Sequence, residues 1–119
     1  MHDPPLGAEQ ASREIAAKLR RRRRELAAEL ERLTAPPEAG ATISFGKRIG
    51  DGTTEAVERL ATTATARSIA ASLGAVDRAL VKITEGTYGT CDRCDGEIGA
   101  ARMQALPSAA LCISCSAAR

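Results

Sequence analysis

The 119-residue chain contains almost no aromatic side chains: it has one Phe, one Tyr and no Trp. Because bulky apolar side chains fill a globular core, a chain this poor in them is not expected to build a thick one. The sequence also has no run of about 18 apolar residues, so no membrane-spanning helix is predicted. It has no recognisable signal peptide. We therefore expect a soluble, cytoplasmic protein without a membrane partner.

Alanine and charged residues are abundant instead, and Asp, Glu, Lys and Arg together make up 27% of the chain. A composition of this kind favours long helices. The formal net charge is only +2, so the protein as a whole is not a polycation. These features predict a small, mainly α-helical protein.

A first helix is predicted from about Glu9 to Leu33, after a flexible tail over residues 1–8. Its apolar residues fall on one narrow stripe at 100° per residue; they are Ile15, Leu19, Leu26, Leu30 and Leu33. Pro36 and Pro37 end this helix, because proline cannot continue the hydrogen-bond ladder. Residues 34–52 are rich in glycine and proline and are predicted to form a loop.

A second helix is predicted to begin at Thr53 or Thr54 and to end near Glu85, before Gly86. It carries two apolar stripes. The first, Val57, Leu60 and Ala64, is expected to meet the end of the first helix. The second is expected to meet the start of the first helix and the C-terminal segment, and consists of Ile69, Leu73, Val76, Leu80 and Ile83.

Each helix alone would expose its stripe, so the two are predicted to pair as a long antiparallel coiled-coil hairpin over residues 9–85, with Leu33 near Val57. Residues 34–52 then form the tip loop. Residues 86–119 are predicted to form a four-cysteine zinc-finger knob at the other end. The predicted fold class is therefore mainly α.

The four cysteines near the C-terminus are the most specific pattern in the chain. Cys91, Cys94, Cys112 and Cys115 are spaced C-x2-C-x17-C-x2-C, which is typical of a structural zinc site. Each two-residue gap lets one tight turn present two sulfurs to the same ion. Four thiolates complete a tetrahedral shell and leave no position for substrate, so we expect one structural zinc ion and no enzyme activity.

Other roles for these cysteines are disulfides, a thioredoxin-like redox pair and unrelated free thiols. Disulfides are disfavoured in a reducing cytosol, and no βαβ pattern surrounds either C-x-x-C pair. A segment of roughly 30 residues is also too short to fold without a metal or another cross-link. The zinc site is the preferred interpretation.

A run of five arginines lies in the first predicted helix: Arg20, Arg21, Arg22, Arg23 and Arg24. Such a run is compatible with docking on an acidic or phosphate-bearing surface. Five successive helical residues wrap the whole circumference, however, and no aromatic residues alternate with them to stack on bases. A solvated, charge-rich helix and a docking surface are equally compatible with the pattern.

The loop between the two helices contains charged residues at the tip of the predicted hairpin. Lys47, Arg48 and Asp51 lie there, and Thr53 follows at the start of the second helix. A loop held about 40 Å from the base of a hairpin has the shape of a probe, at 1.5 Å per helical residue. We expect these residues to contact a partner.

The C-terminal residues resemble the DksA/TraR family of zinc-finger transcription regulators. The resemblance rests on Tyr88-Gly89-Thr90-Cys91-Asp92-Arg93-Cys94, on Ala101-Arg102-Met103 and Ala105-Leu106-Pro107, and on Leu111-Cys112-Ile113-Ser114-Cys115. It implies binding to bacterial RNA polymerase, with the coiled-coil tip inserted through the secondary channel to modulate initiation. It also implies that the factor catalyses no reaction and touches DNA only indirectly.

The tip differs from the better-known branch of that family, in which two acidic residues three positions apart, followed by an alanine, are needed for activity. The corresponding positions here are Arg48, Asp51 and Thr53, so only Asp51 matches. Long members continue into a helix that helps to bind the alarmone ppGpp. Since this chain stops at Arg119, we do not expect a ppGpp-dependent response. Separately, we expect the protein to be a monomer. The alternative function is a nucleic-acid-binding zinc module that uses Arg20–Arg24.

Overall fold

The computed structural model describes residues 6–35 and 52–118. It contains four helices: α1 (Leu6–Thr34), α2 (Gly52–Glu85), α3 (Ala100–Ala105) and α4 (Ile113–Ala117). In the described part of the chain, extended pairing is limited to one antiparallel bridge between Thr90 and Glu97. The protein is mainly α-helical, as the sequence predicts.

The two long helices form an antiparallel hairpin. At 1.5 Å per residue, the 29 residues of α1 span about 44 Å and the 34 residues of α2 about 51 Å. The principal axes of the molecule measure 73 × 31 × 19 Å, so the hairpin gives the protein the shape of a rod. α1 begins at Leu6, inside the stretch for which a flexible tail is predicted.

The end of α2 is a Schellman motif. The Thr87 N–H donates to the Lys82 carbonyl over 2.8 Å, and the Gly86 N–H donates to the Ile83 carbonyl over 3.3 Å. Gly86 has φ +80°, a left-handed conformation that favours glycine. The helix therefore ends where the sequence predicts. The residues that follow, 86–118, form the finger.

The apolar stripes of the two helices form the core of the hairpin. Leu19 and Leu26 from α1 are buried against Ile69, Val76 and Ala79 from α2. Partly buried side chains complete the cluster along the rod; they are Ile15, Leu30, Leu33, Leu73, Leu80, Ile83 and Tyr88. Every residue predicted for the α1 stripe and for the second α2 stripe belongs to this cluster, so that prediction is confirmed.

The expectation for the first α2 stripe was wrong. Val57 and Leu60 are 58% and 72% exposed, and Leu33 instead lies in a cleft with Glu55, Glu58, Arg59, Thr62 and Thr63. The physical reason is that a straight helix presents one face along its whole length. Val76 fixes that face, and at 3.6 residues per turn Leu60 lies about 160° away from it.

The described helices include none that is long and apolar enough to span a bilayer.

Leucine-to-alanine substitutions at two positions test this core. Leu26→Ala removes a side chain that is 2% exposed, and we expect a loss of about 2–5 kcal/mol in the free energy of unfolding. Leu60→Ala is the matched control, because it removes the same atoms from an exposed helical position and is expected to change stability by less than about 0.5 kcal/mol. Urea unfolding of the zinc-loaded protein, followed by far-UV circular dichroism, measures both. Equal losses would contradict the assignment of the core.

Candidate metal centre

The sulfur atoms of the four cysteines converge at one point in the finger. The Sγ atoms of Cys91, Cys94, Cys112 and Cys115 all lie within 4.8 Å of one another, and those of Cys94 and Cys112 are 3.8 Å apart. A tetrahedral zinc ion with Zn–S bonds of about 2.3 Å requires sulfurs about 3.8 Å apart. The four thiols are free, and their arrangement fits one zinc ion.

The first C-x-x-C pair lies in a tight turn that aims backbone donors at its sulfurs. The Cys91 N–H donates to the Gly96 carbonyl over 2.8 Å, and the Asp95 N–H donates back to the Cys91 carbonyl over 3.0 Å. The N–H of Arg93 points at the Cys91 sulfur and that of Gly96 at the Cys94 sulfur, each over 3.4 Å. Such donors stabilise thiolates, the form that binds a metal.

The second pair is placed by the start of α4. Cys112 is the N-cap of this helix, and its sulfur accepts a hydrogen bond from the Cys115 N–H over 3.4 Å. The two turns are joined directly, because the Asp92 N–H donates to the Ala110 carbonyl over 2.8 Å. This bond holds the turn of the first pair against the segment that precedes the second pair.

The electrostatics of the four thiols favour a bound cation. Backbone N–H groups of Cys112 and Cys94 lower the pKa of Cys91 to about 6, and the backbone of Cys115 lowers the pKa of Cys112. The side chain of Cys112 raises the pKa of Cys115 to about 12. Four adjacent thiolates repel one another unless a cation lies between them, so a bound metal ion favours the deprotonated form of the cluster.

Apolar packing contributes little to the finger. Among residues 86–118, only Cys91 and Ile98 are buried hydrophobic side chains, and neither α3 nor α4 contains a buried residue. A segment with so small a core depends on its metal for folding. The zinc ion is therefore structural.

A charged cluster that the sequence analysis missed joins the finger to α2. Asp92, between the first two cysteines, accepts two hydrogen bonds of 2.9 Å from the Arg78 guanidinium and one of 2.7 Å from Lys82 Nζ. Lys82 Nζ also donates to the Thr90 carbonyl. Arg78 and Lys82 are four residues apart on α2, which indicates that they share a face of the helix. Nothing in the sequence indicated that this face meets Asp92.

The five arginines of α1 are all exposed, and two of them form ion pairs. Arg22 pairs with Glu25 of its own helix over 3.6 Å, and Arg23 pairs with Asp77 of α2 over 2.5 Å. Within the described residues, Arg20, Arg21 and Arg24 form no ion pair within 4 Å. Of the five arginines, only Arg23 pairs across the two long helices in the described part of the chain.

The predicted tip residues lie mostly beyond the part of the chain that is described. Lys47, Arg48 and Asp51 are outside the described residues, and Thr53 lies in the first turn of α2. The start of α2, which follows Asp51 in the sequence, is far from the four cysteines because the length of α2 separates the two.

Comparison with known proteins identifies the finger. Residues 86–119 match the family model described as the prokaryotic dksA/traR C4-type zinc finger. The finger is therefore similar to the zinc fingers that this family model describes. The C4 description agrees with the four converged sulfurs, and the family is one of zinc fingers rather than of enzymes.

Two further proteins resemble this chain. An uncharacterized protein of Aquifex aeolicus (strain VF5) is 46% identical over 46 residues, which cover 39% of this chain and 32% of the relative. The match thus spans about a third of that relative's length. The structure of transcription factor DksA2 from Pseudomonas aeruginosa superposes with a TM-score of 0.66 at 24% identity, covering 99% of this chain and 89% of that one. The fold of the dksA/traR-type finger and its hairpin is therefore shared.

Replacing one ligand tests the metal site. Cys112→Ser removes one of the four sulfurs, and we expect bound zinc to fall from about one ion per chain to a small fraction of that after dialysis against a weak chelator. Ser114→Ala is the control, because it changes an exposed residue between Cys112 and Cys115 without removing a ligand. Zinc is measured by elemental analysis. Full retention of zinc by Cys112→Ser would contradict the four-cysteine assignment.

Proposed function

We propose that this protein is a transcription regulator that binds bacterial RNA polymerase and inserts the tip of its hairpin through the secondary channel to modulate initiation. The observation that carries the proposal is the match over 99% of the chain to the fold of a protein described as a transcription factor. The dksA/traR-type finger at residues 86–119 supports it. A cytoplasmic location and a monomeric state belong to the same proposal.

The shape of the hairpin suits insertion into a narrow passage. The molecule is 73 Å long and 31 × 19 Å across, and the end of α1 and the start of α2 lie at the pole opposite the finger. The described α2 residues 54–65 are all exposed, and Val57 and Leu60 present apolar surface to the outside. Such a surface contributes nothing to the core of the hairpin and is available to a partner.

The tip supplies the chemistry of the proposed action. Asp51 immediately precedes α2, and Lys47, Arg48 and Thr53 lie within a few residues of it in the sequence. A carboxylate brought close to a polymerase active site would interact with its metal ions or basic residues. In this proposal Asp51 acts on the promoter complex, while the finger and the hairpin carry it into position. The protein itself catalyses nothing.

Binding competition tests the proposal. We expect the zinc-loaded protein to bind its cognate RNA polymerase and a Gre-type factor to displace it, since both would occupy the same channel. Asp51→Ala should bind within about threefold of the unmodified protein, because most single substitutions outside a packed core or hot spot have small effects, but should lose the effect on promoter-complex lifetime. Glu58→Ala, which removes an exposed acidic residue farther along α2, is the control and should retain it.

Two outcomes would contradict this function. Absence of binding to polymerase would overturn it altogether. Binding without displacement by the Gre-type factor would keep polymerase as the partner but overturn the secondary channel as the docking site.

The exposed arginines support the alternative of a nucleic-acid-binding zinc module. All five side chains of the run are exposed, and Arg93 of the finger is exposed as well, with its guanidinium donating to the Ala118 carbonyl over 3.2 Å. In this alternative the arginines neutralise phosphates and the affinity for DNA falls steeply with salt.

Salt-dependent DNA binding separates the two functions. Contact with up to five phosphates would give a slope of about −4.5 for log affinity against log salt. Arg20→Gln with Arg24→Gln should reduce that slope by about 2, whereas Arg59→Gln with Arg67→Gln, on exposed positions of α2, should leave it unchanged. We expect no specific DNA binding by fluorescence anisotropy if polymerase is the partner. A steep slope that the first pair alone reduces would favour the alternative.

A further inference from the structure

The contacts between α2 and the finger are concentrated around one buried ammonium group. Lys82 is 1% exposed, and its Nζ donates to the Thr90 carbonyl and to Asp92 Oδ1 over 2.7 Å. A buried ammonium is costly unless it is paired and hydrogen-bonded. Both of its partners belong to the finger, so the end of α2 depends on the finger to satisfy this charge.

The two partners of Lys82 lie on either side of a zinc ligand. Thr90 directly precedes Cys91 and Asp92 directly follows it, and Cys91 is itself fully buried. The helix therefore holds the backbone on both sides of the first sulfur. Any movement of Cys91 away from its position in the four-sulfur cluster displaces both groups that neutralise Lys82.

Arg78 strengthens the same connection from one turn earlier on α2. Its Nε donates to Asp92 Oδ2 and its Nη2 to Asp92 Oδ1, each over 2.9 Å, the two-pronged geometry of strong guanidinium–carboxylate pairs. Arg78 also contacts Glu85 over 3.3 Å. Both carboxylate oxygens of Asp92 therefore accept hydrogen bonds from cationic side chains of α2.

We propose that Arg78, Lys82 and Asp92 form a latch that couples zinc occupancy of the four-cysteine site to the end of α2. With zinc bound, Cys91 is fixed and the latch is closed. When zinc leaves, the first turn of the finger loosens, Asp92 and Thr90 move away, and Lys82 loses its partners. The last turns of α2 then open locally and the finger is released from the hairpin.

The coupling works in both directions. Zinc binding and latch closure are thermodynamically linked equilibria. The free energy by which the closed latch strengthens zinc binding therefore equals the free energy by which bound zinc favours the closed latch. A weakened latch is therefore expected to speed zinc loss even though no sulfur ligand has changed. This reciprocity distinguishes a latch from three side chains that form ion pairs without affecting zinc binding.

Two isosteric substitutions in the same turn provide the test. Asp92→Asn removes the charge that Arg78 and Lys82 share, and Asp95→Asn removes an equal charge next to Cys94. Asp95 makes no ion pair among the described residues, and its φ of 61° is a conformation that asparagine also adopts. The full-length, zinc-loaded proteins are mixed with excess chromogenic chelator and zinc transfer is followed over time.

We expect Asp92→Asn to release zinc about tenfold faster than the unmodified protein, given the strength of hydrogen bonds between charged groups, and Asp95→Asn to remain within about twofold. Arg78→Gln, which leaves Lys82 paired, should give a smaller acceleration and serves if Asp92→Asn folds poorly. Equal release rates for all these variants and the unmodified protein would overturn the latch.

Amide hydrogen exchange supplies a second, structural readout. In the unmodified protein, removal of zinc should accelerate exchange at residues 81–85 by about tenfold or more while residues near Leu26 stay protected. Zinc-loaded Asp92→Asn should show the same acceleration and Asp95→Asn should not. Unchanged protection at the end of α2 after zinc removal would overturn the proposal, and neither measurement depends on polymerase.

Discussion

The convergence of four sulfur atoms on one point is the constraint on which the C-terminal part of this protein depends. Residues 86–118 bury only Cys91 and Ile98 as apolar side chains, too little to offset the conformational entropy of ordering more than 30 residues. A tetrahedral zinc ion replaces the missing core. Backbone N–H groups point at the sulfurs and stabilise them as thiolates. Cys112 also forms the N-cap of α4, which places its sulfur in the cluster.

The hairpin rests on a different interaction, the packing of one apolar stripe on each helix, and it is strongest near the finger. Leu19, Leu26, Ile69, Val76 and Ala79 are buried together, whereas the α2 residues toward the tip are exposed. The structure is therefore anchored at one pole and presents polar and apolar surface at the other. This asymmetry is what a protein that reaches into a partner requires, and it connects the fold to the proposed function.

Charged contacts link the two long helices to each other and link the hairpin to the finger. Arg23 and Asp77 link α1 to α2, and Arg78, Lys82 and Asp92 link α2 to the finger. An exposed ion pair contributes little to stability by itself. Lys82 is buried, however, so loss of one of its partners would leave a buried charge uncompensated and cost more stability than loss of an exposed pair. The Asp92 carboxylate thus connects α2 to the turn that carries Cys91, and it is the contact through which the proposed latch acts.

Local patterns in the sequence determined much of this architecture. The spacing of Cys91, Cys94, Cys112 and Cys115 predicted the metal site because ligand spacing is set by the geometry of a tight turn, and the periodic leucines and isoleucines predicted the core because helical periodicity is a local property. Only the tertiary structure decided which way Val57 and Leu60 face and that Arg23, Arg78 and Lys82 have ion-pair partners outside their own helices. The reason is that the rotation of a helix about its axis, and the approach of a distant turn to it, are fixed by the packing of the whole molecule rather than by neighbouring residues.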